Sequence, residues 1–113
     1  MTREEVEAIA FALPAVTKVV QWGDSNVYKV GGKVFAMCAP TGGLSFKVTE
    51  IGFVVLTETG GPGRQAPYCA KGQWVAVDIE ALDPEDARAW LSTAHSLISA
   101  KLTKKARAEL GLA

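Results

Sequence analysis

A pair of glycines, Gly31 and Gly32, separates two runs of strand-forming residues, and this feature most limits how the chain can fold. Residues 27–30 precede the pair and residues 33–38 follow it. A tight two-residue turn of type I′ needs positive φ at both central positions, which glycine adopts at little cost. The pair therefore predicts an antiparallel hairpin.

The length of this turn also predicts the register of the hairpin. With a two-residue loop, Val30 faces Lys33 and Tyr28 faces Phe35. Alternating or β-branched patterns predict further strands, each bounded by turn residues. These strands cover residues 17–22, 44–48 and 74–79.

Helix signals flank the predicted strands. Thr2 and Glu5 have the spacing of a capping box, and Asp83 followed by Pro84 is typical of a helix start. Apolar residues at helical spacing then predict the helices. They cover residues 3–13, a short stretch within 49–57, a long helix from 84 to 102, and a short helix from 103 to 110.

The order of these elements indicates the fold class. Hairpin-linked strands between helices lack the alternation of strand and helix that a parallel sheet requires. The sequence therefore predicts an α+β fold, with an antiparallel sheet of about five strands and helices packed on one face. At 113 residues the chain is expected to be a single domain, residues 1–113.

Charge and cysteine content limit the partners and the compartment. Twelve basic residues balance twelve acidic ones, whereas nucleic-acid binders usually carry a basic excess. The acidic N-terminal segment resembles neither a signal peptide nor a membrane span, so we expect a cytoplasmic protein that does not bind membranes. In that compartment Cys38 and Cys69 are expected to be reduced thiols.

No motif that defines an enzyme is found in the sequence. His95 is the single histidine, and we expect it to pack at a helix edge rather than act as a base. Residues 60–64 are glycine-rich but lack the Gly-Lys-Ser/Thr of a phosphate loop, so they are expected to be a flexible connection. The sequence predicts neither a catalytic residue nor a cofactor.

Basic and aromatic residues in the second half of the chain form the main candidate site. Cations can hold phosphates while aromatic rings stack on bases or flat ligands. The members of this candidate surface are Lys47, Arg64, Tyr68, Lys71 and Trp74.

The alternative interpretation of the same residues is that they have structural roles only. Trp74 and Tyr68 then pack in the core while the lysines are solvated. Trp22 and Trp90 are also expected to pack in the core rather than to form a binding surface.

A second basic cluster lies at the C-terminus. Lys104, Lys105 and Arg107 fall at the start of a short helix, where the helix dipole disfavours cations. They therefore favour contact with an acidic partner.

An ordered set of short motifs resembles the MmcQ/YjbR family of small bacterial proteins. The motifs span almost the whole chain. They are Val20-Gln21-Trp22-Gly23, residues 27–36, Ser45-Phe46-Lys47-Val48, Ala66-Pro67-Tyr68 with Lys71 and Trp74, and Ala100-Lys101-Leu102-Thr103-Lys104-Lys105.

This resemblance implies a frataxin-like, or CyaY-like, α+β fold. It also implies the label of DNA-binding protein that such proteins commonly carry, which rests on analogy of fold. The chain departs from the family pattern at Gly72 and Gln73, where many relatives have a basic or aromatic pair, and at His95, where many have a tyrosine. The first departure removes potential phosphate contacts.

Three hypotheses of function follow. The leading one is a non-enzymatic DNA-binding or regulatory protein that uses the basic and aromatic surface. The second is a module that binds a small molecule or peptide in a cleft under residues 60–72, lined by Trp22, Tyr68 and Trp74. The third is frataxin-like binding of a metal or protein partner through the acidic helix starts, which include residues Glu4, Glu5 and Glu7.

Overall fold

The computed structural model describes residues 1–67 and 69–112. The helices are α1 (Arg3–Phe11), α2 (Glu50–Thr57), α3 (Pro84–Ser99) and α4 (Lys104–Glu109), with a 3-10 turn at Ile79–Ala81. The strands are β1 (Val16–Gln21), β2 (Ser25–Val30), β3 (Lys33–Cys38), β4 (Gly43–Lys47), β5 (Gly63–Gln65) and β6 (Trp74–Asp78). Candidate residue Tyr68 lies outside the described residues.

The strands form one antiparallel sheet in the order β1-β2-β3-β4-β6-β5. Four consecutive strands are joined by short turns, and β6 pairs with β4 after the chain has passed through α2 and β5. The architecture confirms the predicted α+β class with an antiparallel sheet and helices on one face.

The glycine hairpin forms as predicted, with one change of register. Gly31 and Gly32 have φ of 59° and 79°, and Val30 lies opposite Lys33. Tyr28, however, pairs with Ala36 rather than Phe35, because a β-bulge shifts the register between Tyr28 and Lys29. The strands are short, so the extra residue of the bulge cannot be recognised from the alternation of apolar and polar residues.

Strand β5 is the main element that the sequence did not predict. Residues 60–64 were expected to be a flexible connection, but Gly63–Gln65 pairs with β6. A Cβ on Gly63 would lie 2.6 Å from Cγ1 of Val75 and 3.0 Å from the carbonyl oxygen of Leu56, so only glycine fits there. Strand β5 is stabilised by backbone pairing at the sheet edge rather than by burial of alternate side chains. Its sequence therefore shows no alternation of apolar and polar residues.

Helices α1, α2 and α3 pack on one face of the sheet and form the core with it. Apolar side chains of alternating strand positions point to these helices, as the two-residue period requires. Fully buried members include Tyr28, Leu44, Phe46, Val75, Val77 and, from α3, Leu91. Trp90 packs against Phe46 with ring centroids 6.2 Å apart, which confirms its predicted place beside the core.

His95 is part of this packed layer. Its side chain is buried, and its Nε2 lies 2.8 Å from the carbonyl oxygen of Pro14. The imidazole also contacts the ring of Phe35 edge to face. The prediction that His95 packs at a helix edge agrees with this position.

None of the helices in residues 1–67 and 69–112 combines the length and the apolar character needed to cross a membrane.

Candidate functional site

The sheet face opposite the helices carries a row of side chains that crosses all six strands. We call it the open face. Each member of the row lies directly opposite the next member on the adjacent strand, so the row runs from one edge of the sheet to the other. Its members are Val19, Val27, Met37, Ser45, Ala76 and Arg64.

The centre of the open face is nevertheless covered. Val27 and Ala76 are almost completely buried, although α1, α2 and α3 pack on the other side. Residues 66–67 and 69–73, which we call the β5–β6 connection, supply cover, because Pro67 and Cys69 line a cavity together with Met37 of the row.

Gln65 holds the β5–β6 connection in place through its side-chain amide. Its Nε2 donates to the carbonyl oxygens of Ala66, at 2.9 Å, and Cys69, at 3.4 Å. Its Oε1 accepts from the backbone nitrogen of Gly72 at 2.9 Å. One side chain therefore satisfies three backbone groups of a segment that has no regular structure of its own.

The cavity between the connection and the β1–β2 turn is apolar. It encloses about 430 Å³ and is lined by Trp22, Met37, Pro67 and Cys69; we call it the Trp22 pocket. This volume lies within the usual range for small-molecule sites, which are mostly apolar with a few polar groups. The burial of Cys69 raises the pKa of its thiol, so the sulfur is neutral and adds to the apolar lining.

Trp22 is exposed because of the turn in which it lies. Trp22, Gly23 and Asp24 have φ of 53°, 73° and 65°, and the Trp22 side chain is 61% exposed. A bulky residue in the left-handed region is strained, and such strain is concentrated at functional sites. The expectation that Trp22 belongs to the core is wrong, because its backbone conformation turns the indole out of the sheet.

Lys47 lies on the open face, but it is not solvated as the structural interpretation of the basic residues expected. It is 7% exposed, and its Nζ donates to Oε1 of Gln73, in the β5–β6 connection, at 2.6 Å. Burial lowers the pKa of Lys47, and the nearby charge of Lys101 lowers it further. Among the described residues, the salt bridges join Lys18 to Glu7 and Arg64 to Asp78, so neither neutralises Lys47.

The other predicted members of the basic surface are only partly brought together. Trp74 is half-buried directly opposite Lys47, on β6. Lys71 is exposed in the β5–β6 connection. Arg64 is exposed at the sheet edge, where its Nη2 lies 3.9 Å from Oδ1 of Asp78. The cations of the predicted surface are therefore not clustered, because Lys47 is buried, Lys71 lies in the β5–β6 connection and Arg64 lies beside Asp78 at the sheet edge.

Lys104 and Lys105 do not join this surface. Both are exposed at the start of α4, whose Ala106 packs against the core on the helix-covered side. The basic cluster at the C-terminus and the open face are separate parts of the molecule.

The acidic helix starts have structural roles. Thr2 and Glu5 form the complete capping box, and Asp83 caps α3 through the backbone nitrogen of Glu85. Glu7 accepts from Lys18 Nζ at 2.7 Å and from the hydroxyl of Tyr28 at 3.2 Å. Over the part of the chain that the structure describes, His, Cys, Asp and Glu side chains form no group of three or more that could hold a metal ion.

Sequence reasoning missed several residues of the site. Met37 sits at an alternating strand position, which a correct register would have placed on the open face. Pro67 and Cys69 fall within residues 60–72, under which a cleft was hypothesised, but they were not named among its lining residues. The hydrogen bonds of Gln65 and Gln73 were not predicted, because their partners are set by how the connection folds back.

Comparisons with known proteins agree with this architecture. The YjbR family model matches residues 11–97, which is more than half of the chain. A crystal structure of the Deinococcus radiodurans protein DR2400, with the family-model domain DUF419, superposes with a TM-score of 0.88 at 24% identity, covering 99% of this chain and 89% of that one. That likeness shows the fold, and no curated protein matches the chain. On the strength of the family match and the shared architecture, the chain belongs to the YjbR family.

Proposed function

We propose that this protein is a binding module whose site is the Trp22 pocket, and that it takes a small ligand with a flat or extended apolar body. The observation that carries the proposal is a largely exposed, strained tryptophan beside an apolar cavity of about 430 Å³. An exposed indole of this size is held at a cost unless it contacts a partner.

The chemistry of the lining indicates the kind of ligand. The sulfur atoms of Met37 and Cys69 are polarizable and pack well against the edges of aromatic rings. The indole of Trp22 offers a flat face on which a ring can stack. A ligand with an aromatic or extended hydrocarbon body would therefore bury its surface against all three side chains.

The binding test uses the dye N-phenyl-1-naphthylamine, a neutral probe that fluoresces in apolar surroundings. We expect saturable binding to the wild type and a loss of about tenfold or more in affinity for Trp22→Ala, because burying an aromatic surface contributes a few kcal/mol. Ile51→Ala is the matched control, since Ile51 is 78% exposed on α2, away from the pocket. Equal binding by wild type and Trp22→Ala would refute the proposal.

Nucleic-acid binding is the second candidate, and it corresponds to the label that the family commonly carries. The observation in its favour is that Trp22, Lys71 and Arg64 are exposed, so an indole could stack on a base while the cations contact phosphates. The burial of Lys47 and the zero net charge weigh against it.

Anisotropy of a labelled single-stranded oligonucleotide tests this second candidate. If it is right, affinity falls steeply with salt, and Lys71→Ala reduces both affinity and the salt slope. Constant anisotropy at low salt would eliminate it. Either function is proposed for the cytoplasm, where the free thiols of Cys38 and Cys69 would stay reduced.

A further inference from the structure

Strand β1 is an open edge of the sheet. It pairs with β2 on one side, and no other strand within residues 1–67 and 69–112 pairs with it on the other side. In an antiparallel pair, every second residue of an edge strand points its N–H and C=O groups away from the neighbouring strand. Residues 17–20 are all exposed, so the outward backbone groups of this edge face solvent.

The β1 edge lacks the features by which proteins usually block pairing with another chain. Edge strands are protected by short length, prolines, bulges or charged side chains. Strand β1 has six residues, contains no proline, and pairs with β2 in an uninterrupted register. Its one charged residue, Lys18, forms a salt bridge with Glu7 of α1 at 2.7 Å, so its charge is compensated. The opposite edge differs, because β5 has only three residues.

Apolar side chains flank the β1 edge on both faces of the sheet. Val19 lies on the open face and is 40% exposed, and Val20 lies on the helix-covered face and is 55% exposed. Phe11, at the end of α1, is half-exposed and packs edge to face on Tyr28, which pairs with Lys18. A strand that pairs with β1 would therefore bury apolar surface on both faces in addition to satisfying the backbone groups.

The symmetry of an antiparallel pair makes β1 of a second copy a suitable partner. Two copies can pair about a two-fold axis normal to the sheet, which joins the open face of one copy to the open face of the other. Side chains of directly opposite residues must then project from the same face. The residue on the axis therefore lies opposite its own counterpart.

One register satisfies both the charge and the length of the strand. With Lys18 on the axis, two lysines lie directly opposite each other, which is destabilising. With Val19 on the axis, residues 17–21 pair, and Lys18 lies opposite Val20. With any other residue of β1 on the axis, three residues of the strand or fewer remain paired.

We propose that two copies of this chain associate through β1, antiparallel, with Val19 of one copy opposite Val19 of the other. The zero formal net charge favours a second copy as the occupant, since no long-range repulsion keeps the copies apart. A five-residue strand pair buries less than the ~800 Å² per partner of a standard interface, so the Kd is on the order of 10–100 μM. The proposal does not rest on the Trp22 pocket, because Trp22 lies outside residues 17–21.

Sedimentation equilibrium at protein concentrations from about 10 μM to about 1 mM tests the proposal. We expect the weight-average mass of the wild type to rise from that of the monomer towards twice that value. Val19→Lys places two ammonium groups opposite each other and should weaken association about tenfold or more. Val54→Lys is the matched control, since Val54 is a 62% exposed valine of α2, and it should leave association unchanged.

Disulfide cross-linking tests the register and does not depend on how Val19→Lys folds. Opposite Cα atoms of an antiparallel pair are about 4.5–5.5 Å apart, which a disulfide can span. Val19→Cys should therefore cross-link rapidly between copies, with Cu(II)-phenanthroline and dioxygen accepting the electrons of the two thiols. Val20→Cys should cross-link about tenfold more slowly, because Val20 and its counterpart lie diagonally, about 7–8 Å apart. The wild type, with its free Cys38 and Cys69, gives the background rate.

Three results would overturn the proposal. The first is a mass that stays that of the monomer at every concentration. The second is association that Val19→Lys leaves intact or that Val54→Lys weakens instead, since the apolar side of α2 would then be the contact. The third is faster cross-linking of Val20→Cys than of Val19→Cys, because the strands would then pair in another register.

Discussion

The two faces of the sheet are built on different principles. On the helix-covered face, Phe46 and Val75 are fully buried against α2 and α3, and the buried His95 has its ring nitrogen against a backbone carbonyl. On the open face, Gln73 of the connection covers a buried lysine that has no carboxylate partner among the described residues, and an apolar cavity lies elsewhere on the same face.

The contrast shows which face is available for binding. A face that is closely packed and satisfied contributes stability and has no room for a ligand. A face with a strained tryptophan, a cavity and an unmatched charge is less stable than it could be, which is typical of functional sites. Substitutions on the two faces should therefore affect different properties.

The largest expected effect is on the helix-covered face. Phe46→Ala removes a fully buried ring that packs against Trp90, and should lower the free energy of unfolding by about 3–5 kcal/mol. Urea denaturation followed by circular dichroism measures the change. A loss below about 1 kcal/mol would show that this face is less tightly packed than described.

On the open face, Gln73→Glu should increase stability. The new carboxylate would lie against Lys47 Nζ, where the amide oxygen now lies at 2.6 Å, and should raise the free energy of unfolding by about 1–3 kcal/mol. A double-mutant cycle with Lys47→Met isolates the interaction. If Gln73→Glu stabilises the Lys47→Met protein equally, the gain does not come from Lys47.

The pH dependence of stability should reveal the same lysine. Burial lowers the pKa of Lys47 from its ordinary value of 10.5, so the unfolded chain binds this proton more strongly than the folded one. Stability from this group therefore rises with pH in the alkaline range below 10.5.

Denaturation of wild type and Lys47→Met at a series of pH values measures this contribution. Burial raises the pKa of Tyr28 and of Cys38, which lowers stability at alkaline pH, but both groups are present in both proteins and cancel in the difference. The free energy of unfolding of the wild type should increase relative to that of the variant as pH rises. Parallel curves of this free energy against pH would contradict the burial of Lys47.

The smallest expected effect on stability is at the pocket itself. Trp22→Gly replaces a residue at φ 53° with the one that adopts this conformation most readily, so the free energy of unfolding should change by about 1 kcal/mol or less, in the stabilising direction. The same variant should lose binding of N-phenyl-1-naphthylamine. A large loss of stability would instead make Trp22 a structural residue.

The sequence was sufficient for elements that local signals define. The capping box of Thr2 and Glu5, the Gly31-Gly32 turn and the Asp83 cap of α3 all form as predicted. These signals depend on residues within a few positions of one another, so the chain itself contains the whole reason for the structure.

Features that depend on distant parts of the chain could not be predicted in the same way. Strand β5 is defined by pairing with β6, and Lys47 is buried because Gln73, 26 residues away, folds over it. The exposure of Trp22 follows from three consecutive positive φ angles; those of Gly23 and Asp24 suit their residue types, but that of Trp22 is not signalled by its type. The candidate site was therefore harder to predict than the fold.

The most direct test of the account is to map ligand binding residue by residue with ¹H–¹⁵N spectra of the isotope-labelled protein, titrated with 8-anilino-1-naphthalenesulfonate. The account predicts that the largest shift changes occur at Trp22, Met37 and the β5–β6 connection, with α3 unchanged. Changes concentrated instead on the exposed apolar side of α2, at Ile51, Val54 and Val55, would contradict the claim that the open face is the binding face.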